Sequence, residues 1–321
     1  MPSLEKTSLI MGTRGSALAL AQSRQVAAAI EAAHPGLAIG ERVIRTTGDK
    51  QQRAPLPVIG GKGVFTLEIE QALLAGEIDF AVHSLKDLPP DLPDGLCIAA
   101  IPPREPASDV CVLHSTWGGW QPFDGPLPFL PHGAGVGTSS LRRRAQLLHL
   151  RPDLQIEDIR GNIDTRLRKL EEQGFQAIVL AQAGLNRLGL GEDHTPVNKL
   201  DERHFVPAPG QGALAIEARA DDEGVLAILR AIEDAATRAE ISAERAVVRA
   251  LNAGCSTPLG ARAVADGQRL TIWATVLSPD GRRRIFAEDS GTVSDAVAVG
   301  DSVSRKLLEQ GAGALFEAAN L

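Results

Sequence analysis

The chain has 321 residues, more than one hydrophobic core usually holds, so we expect two or three domains. A hydrophobic fraction of 44%, a charged fraction of 23% and a net charge of −7 predict a globular protein. They argue against broad nucleic-acid binding, because surfaces that track phosphates usually make a domain basic. The first residues lack the pattern of a signal peptide and no stretch approaches membrane-spanning length, so we expect a cytoplasmic protein.

The first part of the chain predicts alternating strands and helices. Residues 8–11 predict a strand, 17–33 an alanine-rich helix that stops at Pro35, and 42–45 a second strand. Residues 46–63 have little apolar periodicity and end in a glycine-rich stretch, so we expect a long functional loop that acts as a lid. A nucleotide-binding loop is rejected, because Lys62 is not followed by Ser or Thr.

Charged residues appear where the next strand ends. A helix over 64–75 leads to a strand over 80–83, which is followed by Ser84, Lys86 and Asp87. In open α/β sheets the ligand crevice lies at the carboxyl ends of strands, so these three residues are site candidates. The alternative is a surface turn before a proline. His83 is expected to pack or cap rather than to catalyse.

Arginines gather behind small polar residues in a second α/β stretch. A strand over 135–137 feeds a helix whose first N–H groups lack partners, Thr138, Ser139 and Ser140 can add hydroxyl donors, and residues 142–144 add positive charge. Residues 160–166 repeat this arrangement after a strand over 156–159. Such turns suit carboxylates or phosphates. The alternative is a solvated basic helix face.

The three cysteines differ in their surroundings. Cys97 and Cys111 lie in apolar strands and are expected to be structural, whereas Cys255 lies on a loop punctuated by glycine and proline. An accessible loop thiol can be nucleophilic or covalently modified, although a structural role stays open. Neither a second cysteine nor a histidine stands at metal-ligand spacing, so we expect no metal site. From about Asp234 the pattern changes to helices and short strands, which predicts an α+β region.

Five motifs, taken together and in order, resemble the porphobilinogen deaminase family, also called hydroxymethylbilane synthases. They are GTRGSALA at 12–19, VHSLKD at 82–87, GTSSLRR at 137–143, RGNIDTR at 160–166 and GQGA at 210–213. Cys255 falls where the family carries its cofactor cysteine. The chain departs from the family pattern at Asn252 and Ala253 before that cysteine, and at Gln182, where a small residue is frequent.

The resemblance implies an α/β fold with three domains. There would be two binding-protein-like α/β domains with mainly parallel sheets and, in addition, a smaller α+β C-terminal domain, an antiparallel sheet with helices on one face. Domain 1 would comprise residues 1–105 and 212–230 and hold the catalytic aspartate and the lid loop. Domain 2 would comprise 106–206 and hold the arginine-rich anion sites, and domain 3 would comprise 234–321 and hold the attachment cysteine.

The resemblance also implies a transferase of porphyrin, heme and tetrapyrrole biosynthesis. Dipyrromethane, attached to Cys255 by a thioether, would prime the head-to-tail joining of four porphobilinogen units with loss of ammonia. Hydrolysis would then release hydroxymethylbilane. The partners would be porphobilinogen and the growing oligopyrrole chain, with no nucleic acid or membrane, and we expect a monomer.

The site residues follow from the same resemblance and from the chemistry of the ligands. Each pyrrole bears two carboxylates that need cationic donors, and loss of ammonia leaves a cationic azafulvene. We therefore assign the catalytic role to Asp87, whose carboxylate can stabilise that cation and manage protons. The cofactor-binding residues are Cys255, Lys86, Ser84, Asp87, Thr138, Ser140, Arg142, Arg143, Arg160 and Gly161. The substrate-binding residues are Arg14, Ser16, Gln22, Lys62, Phe65, Ser139, Asn162, Arg166, Arg187 and Gln211.

Two other functions stay open on the sequence. A non-catalytic receptor that closes over a carboxylate or phosphate ligand would explain the arginines but not Cys255. A regulatory nucleic-acid binder is disfavoured by the acidic charge and by the absence of tyrosine for base stacking.

Overall fold

A computed structural model describes residues 6–47, 66–116, 123–190, 197–254 and 257–319. The strands are β1 (Ser8–Thr13), β2 (Ala38–Val43), β3 (Phe80–Ser84), β4 (Leu96–Ala100), β5 (Asp109–Leu113), β6 (Gly135–Gly137), β7 (Gln155–Glu157), β8 (Ala177–Ala181), β9 (Val197–Lys199), β10 (Leu214–Arg219), β11 (Leu259–Asp266), β12 (Arg269–Leu277) and β13 (Arg284–Thr292). The helices are α1 (Ala17–Ala33), α2 (Leu67–Leu74), α3 (Leu141–Leu150), α4 (Ile163–Glu172), α5 (Gln182–Arg187), α6 (Glu223–Leu229), α7 (Ala235–Ala250), α8 (Ala296–Glu309) and α9 (Ala312–Ala319).

The chain divides into two compact units. The first unit comprises Met1–Glu105 and Ala213–Arg238, and the second comprises Pro106–Gly212 and Ala239–Leu321. None of the helices within the described ranges is long and apolar enough to cross a bilayer.

The first unit is built on a five-stranded sheet in the order β2-β1-β3-β10-β4. Strand β1 runs parallel to β2 and β3, whereas β10 runs antiparallel to β3 and β4. Alternation along β3 sends Phe80 and Val82 into a core with α1 and α6, while Ala81 packs with Ile69 and Leu73 of α2. The sheet is therefore covered on both faces, and its strand ends are the places left for polar side chains.

Helix α1 forms where the sequence predicts it, because a capping residue at its start and a buried apolar stripe along its length both favour a helix there. The Ser16 hydroxyl accepts a hydrogen bond from the Ala19 backbone N–H at 3.3 Å, which caps the first turn. Val26 and Ile30, four residues apart, are buried on one face. The helix ends with His34 as its C-cap, directly before Pro35, and a proline does not continue a helix because it lacks a backbone N–H.

The second unit contains a similar five-stranded sheet in the order β7-β6-β8-β5-β9. Strands β6, β7 and β8 are parallel, and β5 runs antiparallel to β8 and β9. Val110, Ile178 and Leu180 pack on one side of this sheet, and Val136, Leu147 and Val179 pack in a second cluster. Both faces are again buried.

The second unit also contains a three-stranded antiparallel sheet, β11-β12-β13. Ile272 and Val276 of β12 pack with Val247 of α7 and Val303 of α8 in one buried cluster. Helices and a small antiparallel sheet thus share a core in the C-terminal part of the chain.

The predicted α/β class with a smaller antiparallel C-terminal sheet is confirmed. Each five-stranded sheet is mixed, with two parallel and two antiparallel pairings, because β10 and β5 enter their sheets in the reverse direction. The division into three domains stays a prediction. Most of the predicted lid, residues 48–63, lies outside the described residues.

Candidate active site

The first unit gathers candidate residues at one edge of its sheet. Arg14 follows β1 and Ser84 ends β3, and because β1 and β3 are parallel neighbours these residues lie at the same carboxyl edge. A short 3₁₀ turn, Leu85–Asp87, continues from β3. The Leu85 N–H donates to the Ala213 carbonyl at 3.1 Å, so the turn is held at the start of the neighbouring antiparallel strand.

Hydrogen bonds from α1 fix Ser84. The amide of Gln22, which is buried, donates from Nε2 to Ser84 Oγ at 3.0 Å, and Ser84 Oγ donates to Gln22 Oε1 at 3.2 Å. On the same helix the buried Ser23 hydroxyl donates to Thr13 Oγ1 at 2.7 Å, next to Arg14. The structure therefore brings Arg14, Ser84 and Gln22 to one region of this unit.

The Lys86 and Asp87 side chains are exposed in the turn after β3. Leu85 and Leu88 on either side of them are buried and anchor the turn to the core. The two charged groups thus lie in solvent at the carboxyl edge of the sheet, in reach of a ligand that enters there.

The second unit repeats this edge. Thr138 follows β6, Arg160 comes after β7 and Gln182 follows β8, so three parallel strands present polar residues at one edge. Asp109 begins the antiparallel strand β5 and pairs with Ala181 at the end of β8, which brings its carboxylate to the same edge.

Asp109 is the centre of a buried ion network. Arg142 Nη1 donates to Asp109 Oδ2 at 2.7 Å, and Arg143 donates to Oδ1 from Nη2 at 2.7 Å and from Nε at 3.0 Å. Gln211 Nε2 donates to the same Oδ1 at 3.0 Å. The Val206 carbonyl accepts a further hydrogen bond from Arg142, and the Val179 carbonyl accepts one from Arg143. The two guanidinium groups are consequently held in fixed positions.

Around Asp109 the positive charges of the arginines outnumber the negative charge of the carboxylate. Burial alone would raise the pKa of Asp109, but the charges of Arg142 and Arg143 and hydrogen bonds from Arg142 and Gln211 hold it well below its usual range. Burial and then the like charge of Arg143 lower the pKa of Arg166 to about 10. Among the described residues, no carboxylate forms a salt bridge with Arg166. We call Arg142, Arg143 and Arg166 the arginine cluster.

The hydroxyl groups before α3 are used within the protein. Ser140 caps the helix by accepting from the Arg143 N–H at 3.4 Å, and Thr138 Oγ1 accepts from the Ser140 N–H at 3.2 Å. Ser139 Oγ donates to the Ile159 carbonyl at 2.9 Å. Of the three expected hydroxyl donors, Ser139 therefore differs from the expectation, because its proton is engaged in a hydrogen bond that joins the turns after β6 and β7, whereas Thr138 and Ser140 act as acceptors in these contacts.

The turn before α4 depends on glycine. Gly161 has φ +119°, and a Cβ there would lie 2.6 Å from Thr165 Cγ2. Arg166 Nε donates to the Gly161 carbonyl at 2.8 Å, and Lys169 Nζ donates to the Arg160 carbonyl at 3.1 Å. Asn162 is exposed at the N-cap position of α4 and makes no capping hydrogen bond through its side chain.

Two other predicted residues lie close to backbone carbonyls. Arg187 Nη2, at the end of α5, donates to the Gly212 carbonyl at 2.8 Å. Gln211 is almost fully buried, with Nε2 donating to the Ala107 carbonyl at 2.6 Å as well as to Asp109. Gln211 therefore supports the arginine network, and it would act on a ligand indirectly, through Asp109.

Three predicted residues lie outside the described residues, namely Lys62, Phe65 and Cys255. The other two cysteines lie in strands, as predicted. Burial raises the pKa of Cys111, and burial followed by the Glu217 charge raises the pKa of Cys97. Both thiols are consequently held in their unreactive form at neutral pH.

Asp109 was missed by the sequence reasoning. It opens the run Asp109-Val110-Cys111-Val112-Leu113, in which every residue is buried. A carboxylate at the start of a fully apolar strand needs a cation, and this signal could have pointed to the arginines.

The comparisons with known proteins agree with these observations. Residues 9–227 match the family model described as porphobilinogen deaminase, dipyromethane cofactor binding domain, and residues 238–309 match porphobilinogen deaminase, C-terminal domain. The chain is 47% identical over 308 residues to porphobilinogen deaminase of Rubrobacter xylanophilus, with 96% of each chain covered. It is 49% identical to that of Desulforudis audaxviator, again with 96% of each covered.

Among solved structures, substrate binding domain 2 of GlnP from Lactococcus lactis in its open conformation has a TM-score of 0.42 at 10% identity, covering 77% of this chain and 92% of that one.

The predicted activity as a hydroxymethylbilane synthase of tetrapyrrole biosynthesis, the transferase class and the dipyrromethane cofactor are confirmed by these matches. On its motifs, its fold and its similarity over nearly its whole length, this chain belongs to the porphobilinogen deaminase family.

Proposed function

We propose that the arginine cluster binds carboxylates of the pyrrole rings and that Asp87 carries the chemistry of condensation. The observation that supports the first part is the charge imbalance in the second unit. Asp109 brings one carboxylate to Arg142 and Arg143, which are buried, and the half-buried Arg166 adds a third guanidinium whose charge interacts with that of Arg143. An isolated buried charge is costly, so a cluster with excess positive charge favours an anionic ligand.

The donor set fits dipyrromethane, which brings several carboxylates. Guanidinium groups held in position by Asp109 can donate to carboxylates without a further ordering cost, and planar forked donors match their geometry. The residues proposed to hold the cofactor are Ser84, Lys86, Asp87, Thr138, Ser140, Arg142, Arg143, Arg160 and Gly161, with the thioether at Cys255. When bound, dipyrromethane supplies the pyrrole carbon to which the first substrate unit is joined.

The residues proposed to bind the substrate, by direct contact or by support of a contacting residue, are Arg14, Ser16, Gln22, Lys62, Phe65, Ser139, Asn162, Arg166, Arg187 and Gln211. Their proposed contribution differs from residue to residue, since Gln22 and Gln211 are buried and act by holding Ser84 and Asp109, respectively. Among these residues, Arg166 is the one for which an anionic ligand would be most favourable, because burial and the like charge of Arg143 both disfavour its positive charge.

Asp87 is proposed to stabilise the cation that porphobilinogen becomes when it loses ammonia. A carboxylate beside the pyrrole N–H lowers the energy of the positively charged ring and can accept the proton released when the new carbon–carbon bond restores the pyrrole. Exposure in the turn after β3 leaves the Asp87 carboxylate accessible to such a ring. Lys86, its neighbour, is proposed to bind a carboxylate.

The location, the oligomeric state, the partners and the domain division remain part of the proposal. We propose that the protein works as a cytoplasmic monomer without nucleic-acid or membrane partners, which the net charge of −7 supports. We also propose the three-domain division at 1–105 with 212–230, 106–206 and 234–321. Gel filtration with light scattering tests the monomer directly.

Intact-mass analysis tests the proposed anion site. In a host that makes porphobilinogen, Arg166→Gln is expected to reduce the fraction of protein carrying the cofactor or the number of substrate units it then adds. The matched control is Arg168→Gln, because Arg168 lies on the same helix with an exposed side chain. Equal loading and elongation in the two variants would refute a ligand-binding role for Arg166.

Peptide mapping tests the attachment. Cys255→Ala is expected to fold and to lack the covalent cofactor and most of its turnover. A cofactor-sized mass on a peptide that contains Cys97 or Cys111 would contradict the assignment of Cys255.

A further inference from the structure

A buried cluster of an imidazole and two carboxyl groups lies in the first unit, directly before Ser84. His83 Nε2 and Glu217 Oε2 are 3.0 Å apart, with side-chain exposures of 5% and 0%. Glu70 of α2 is 6% exposed, and the Glu217 charge acts on it. None of these three residues belongs to the candidate active site.

The sheet register explains why these residues meet. His83 pairs with Ala215 and Ala81 pairs with Glu217, so alternation places Ala81, His83 and Glu217 on one face of the sheet. That face is covered by α2, because Ala81 packs with Ile69 and Leu73. The cluster therefore joins three elements, β3, β10 and α2.

The hydrogen bonding of the cluster is unusual for buried carboxyl groups. Within the described part of the chain, both oxygens of Glu217, Glu70 Oε1 and His83 Nε2 have no partner with hydrogen-bond geometry. His83 is the basic group that contacts the Glu217 carboxyl group, at 3.0 Å. Buried polar groups without partners are rare in native proteins, and each calls for a physical reason.

Proton placement supplies one consistent reason. Burial raises the pKa of Glu70, the polar Thr66 side chain lowers it, and the Glu217 charge raises it further, with a net shift upward. The raised pKa favours the protonated, uncharged form of Glu70 beside Glu217, and the uncharged form is the one that burial favours.

We propose that His83 and Glu217 are positioning residues for Asp87, because their close contact holds the carboxyl end of β3 in register with β10. The inference rests on the proposed role of Asp87. His83 immediately precedes Ser84, and the pairing of β3 with β10 continues through Leu214 opposite Ser84 to the hydrogen bond from Leu85 to Ala213. A shift of β3 against β10 would therefore move the turn that carries Asp87.

Stability alone is a weak reason for such a pair. Replacing a buried ion pair by apolar residues of similar volume is often neutral or stabilising, whereas removal of one partner is costly. A 3.0 Å contact between a side chain of β3 and a side chain of β10 forms in one register of the two strands and is lost in a slipped one. A displacement of about 1 Å at a reacting group can cost about 10²-fold in rate.

The test compares matched variants of the full-length, cofactor-loaded protein. Glu217→Gln removes the charge and keeps the size. His83→Leu removes the ring donor, and His83→Gln restores an N–H donor toward Glu217. The control is Glu171→Gln, which changes a more exposed glutamate 3.5 Å from His114 in the second unit. Intact mass gives the loaded fraction, thermal melting gives stability, and steady-state kinetics give kcat and KM.

We expect Glu217→Gln and His83→Leu to load cofactor and to lose about tenfold or more in kcat, with KM within about twofold of wild type. His83→Gln should recover part of that loss, and Glu171→Gln should match wild type. Nitrogen-15 chemical shifts of the His83 ring should change in Glu217→Gln and keep their wild-type values in Glu171→Gln. Lower melting temperatures with unchanged kcat would overturn the positioning role, as would His83 ring shifts that are unchanged in Glu217→Gln.

Asp87→Asn measured in parallel separates this inference from the proposal beneath it. Normal elongation by Asp87→Asn would overturn both. Failure of Asp87→Asn together with normal kcat in Glu217→Gln and His83→Leu would overturn only the positioning role. If Glu217→Gln does not fold, the comparison of His83→Leu with His83→Gln still decides the question.

Discussion

Asp109 offers the sharpest single test of how the arginine network is held together. Asp109→Asn keeps the shape of the side chain, removes its charge and turns one acceptor into an amide donor. The altered side chain then faces two guanidinium groups, Arg142 and Arg143, that are themselves nearly buried. We expect a large loss of stability, and we expect the cofactor-loaded fraction to fall with it.

The size of the effect follows from the contacts that are lost. Asp109 accepts four hydrogen bonds, three of them from arginine, and the carboxylate is fully buried. Charge-assisted hydrogen bonds contribute about 1.5–3 kcal/mol each, but they are not additive within one network. Removing one partner of a buried pair typically costs about 3–5 kcal/mol, so we expect the free energy of unfolding to fall by about that amount.

Urea unfolding of wild type and Asp109→Asn at neutral pH measures this loss. The control is Asp280→Asn, which alters an exposed carboxylate 3.6 Å from Arg282, and it should shift the midpoint little. A decrease below about 1 kcal/mol in Asp109→Asn would refute the reasoning. The pH dependence has a definite sign. Because the native pKa of Asp109 is depressed, its stabilisation is present above the unfolded value of about 4 and is lost as the pH falls through the native pKa.

Two further predictions concern single groups. Because the native pKa of Glu70 is raised, the free energy of unfolding of wild type relative to Glu70→Gln should fall as the pH rises from about 4.3 toward that native pKa, and then level off. Urea midpoints of both proteins across this range check the prediction, and a difference that does not depend on pH would contradict it. Gly161→Ala should lower stability by about 1–3 kcal/mol and reduce cofactor loading, because of its φ of +119° and the Thr165 contact. Gly224→Ala in α6, where the nearest atom would be 3.6 Å from the new Cβ, is the control for melting and mass measurements, and equal losses in the two variants would contradict the strain argument.

Local sequence signals located several elements well. The predicted helix over 17–33 and strand over 135–137 have the bounds of α1 and β6, because capping residues, a buried stripe and flanking glycines agree there. Strand β2 was predicted at 42–45 and lies at Ala38–Val43. It is an edge strand whose residues are mostly exposed, so its apolar pattern is weak and its bounds are set by pairing with β1.

The candidate site was predictable only as far as strand order is predictable. Residues after β3, β6 and β7 could be placed at carboxyl edges, because each follows a recognisable strand. The contacts made by Asp109 and Glu217 could not be predicted in this way. Both acids lie on antiparallel strands that join partners distant in sequence, and only the folded register brings them to Arg143 and His83.

Single-turnover elongation by cofactor-loaded Asp87→Asn tests the central claim most directly. Asparagine keeps the size and most of the hydrogen bonding of aspartate but removes the charge that is proposed to stabilise the cationic ring. Comparison with Asp87→Glu, which keeps the charge and moves it by one methylene, separates charge from position. We expect Asp87→Asn to slow elongation by about 10²–10⁴-fold and Asp87→Glu to retain a small part of the wild-type rate. Elongation by loaded Asp87→Asn at close to the wild-type rate would contradict the account.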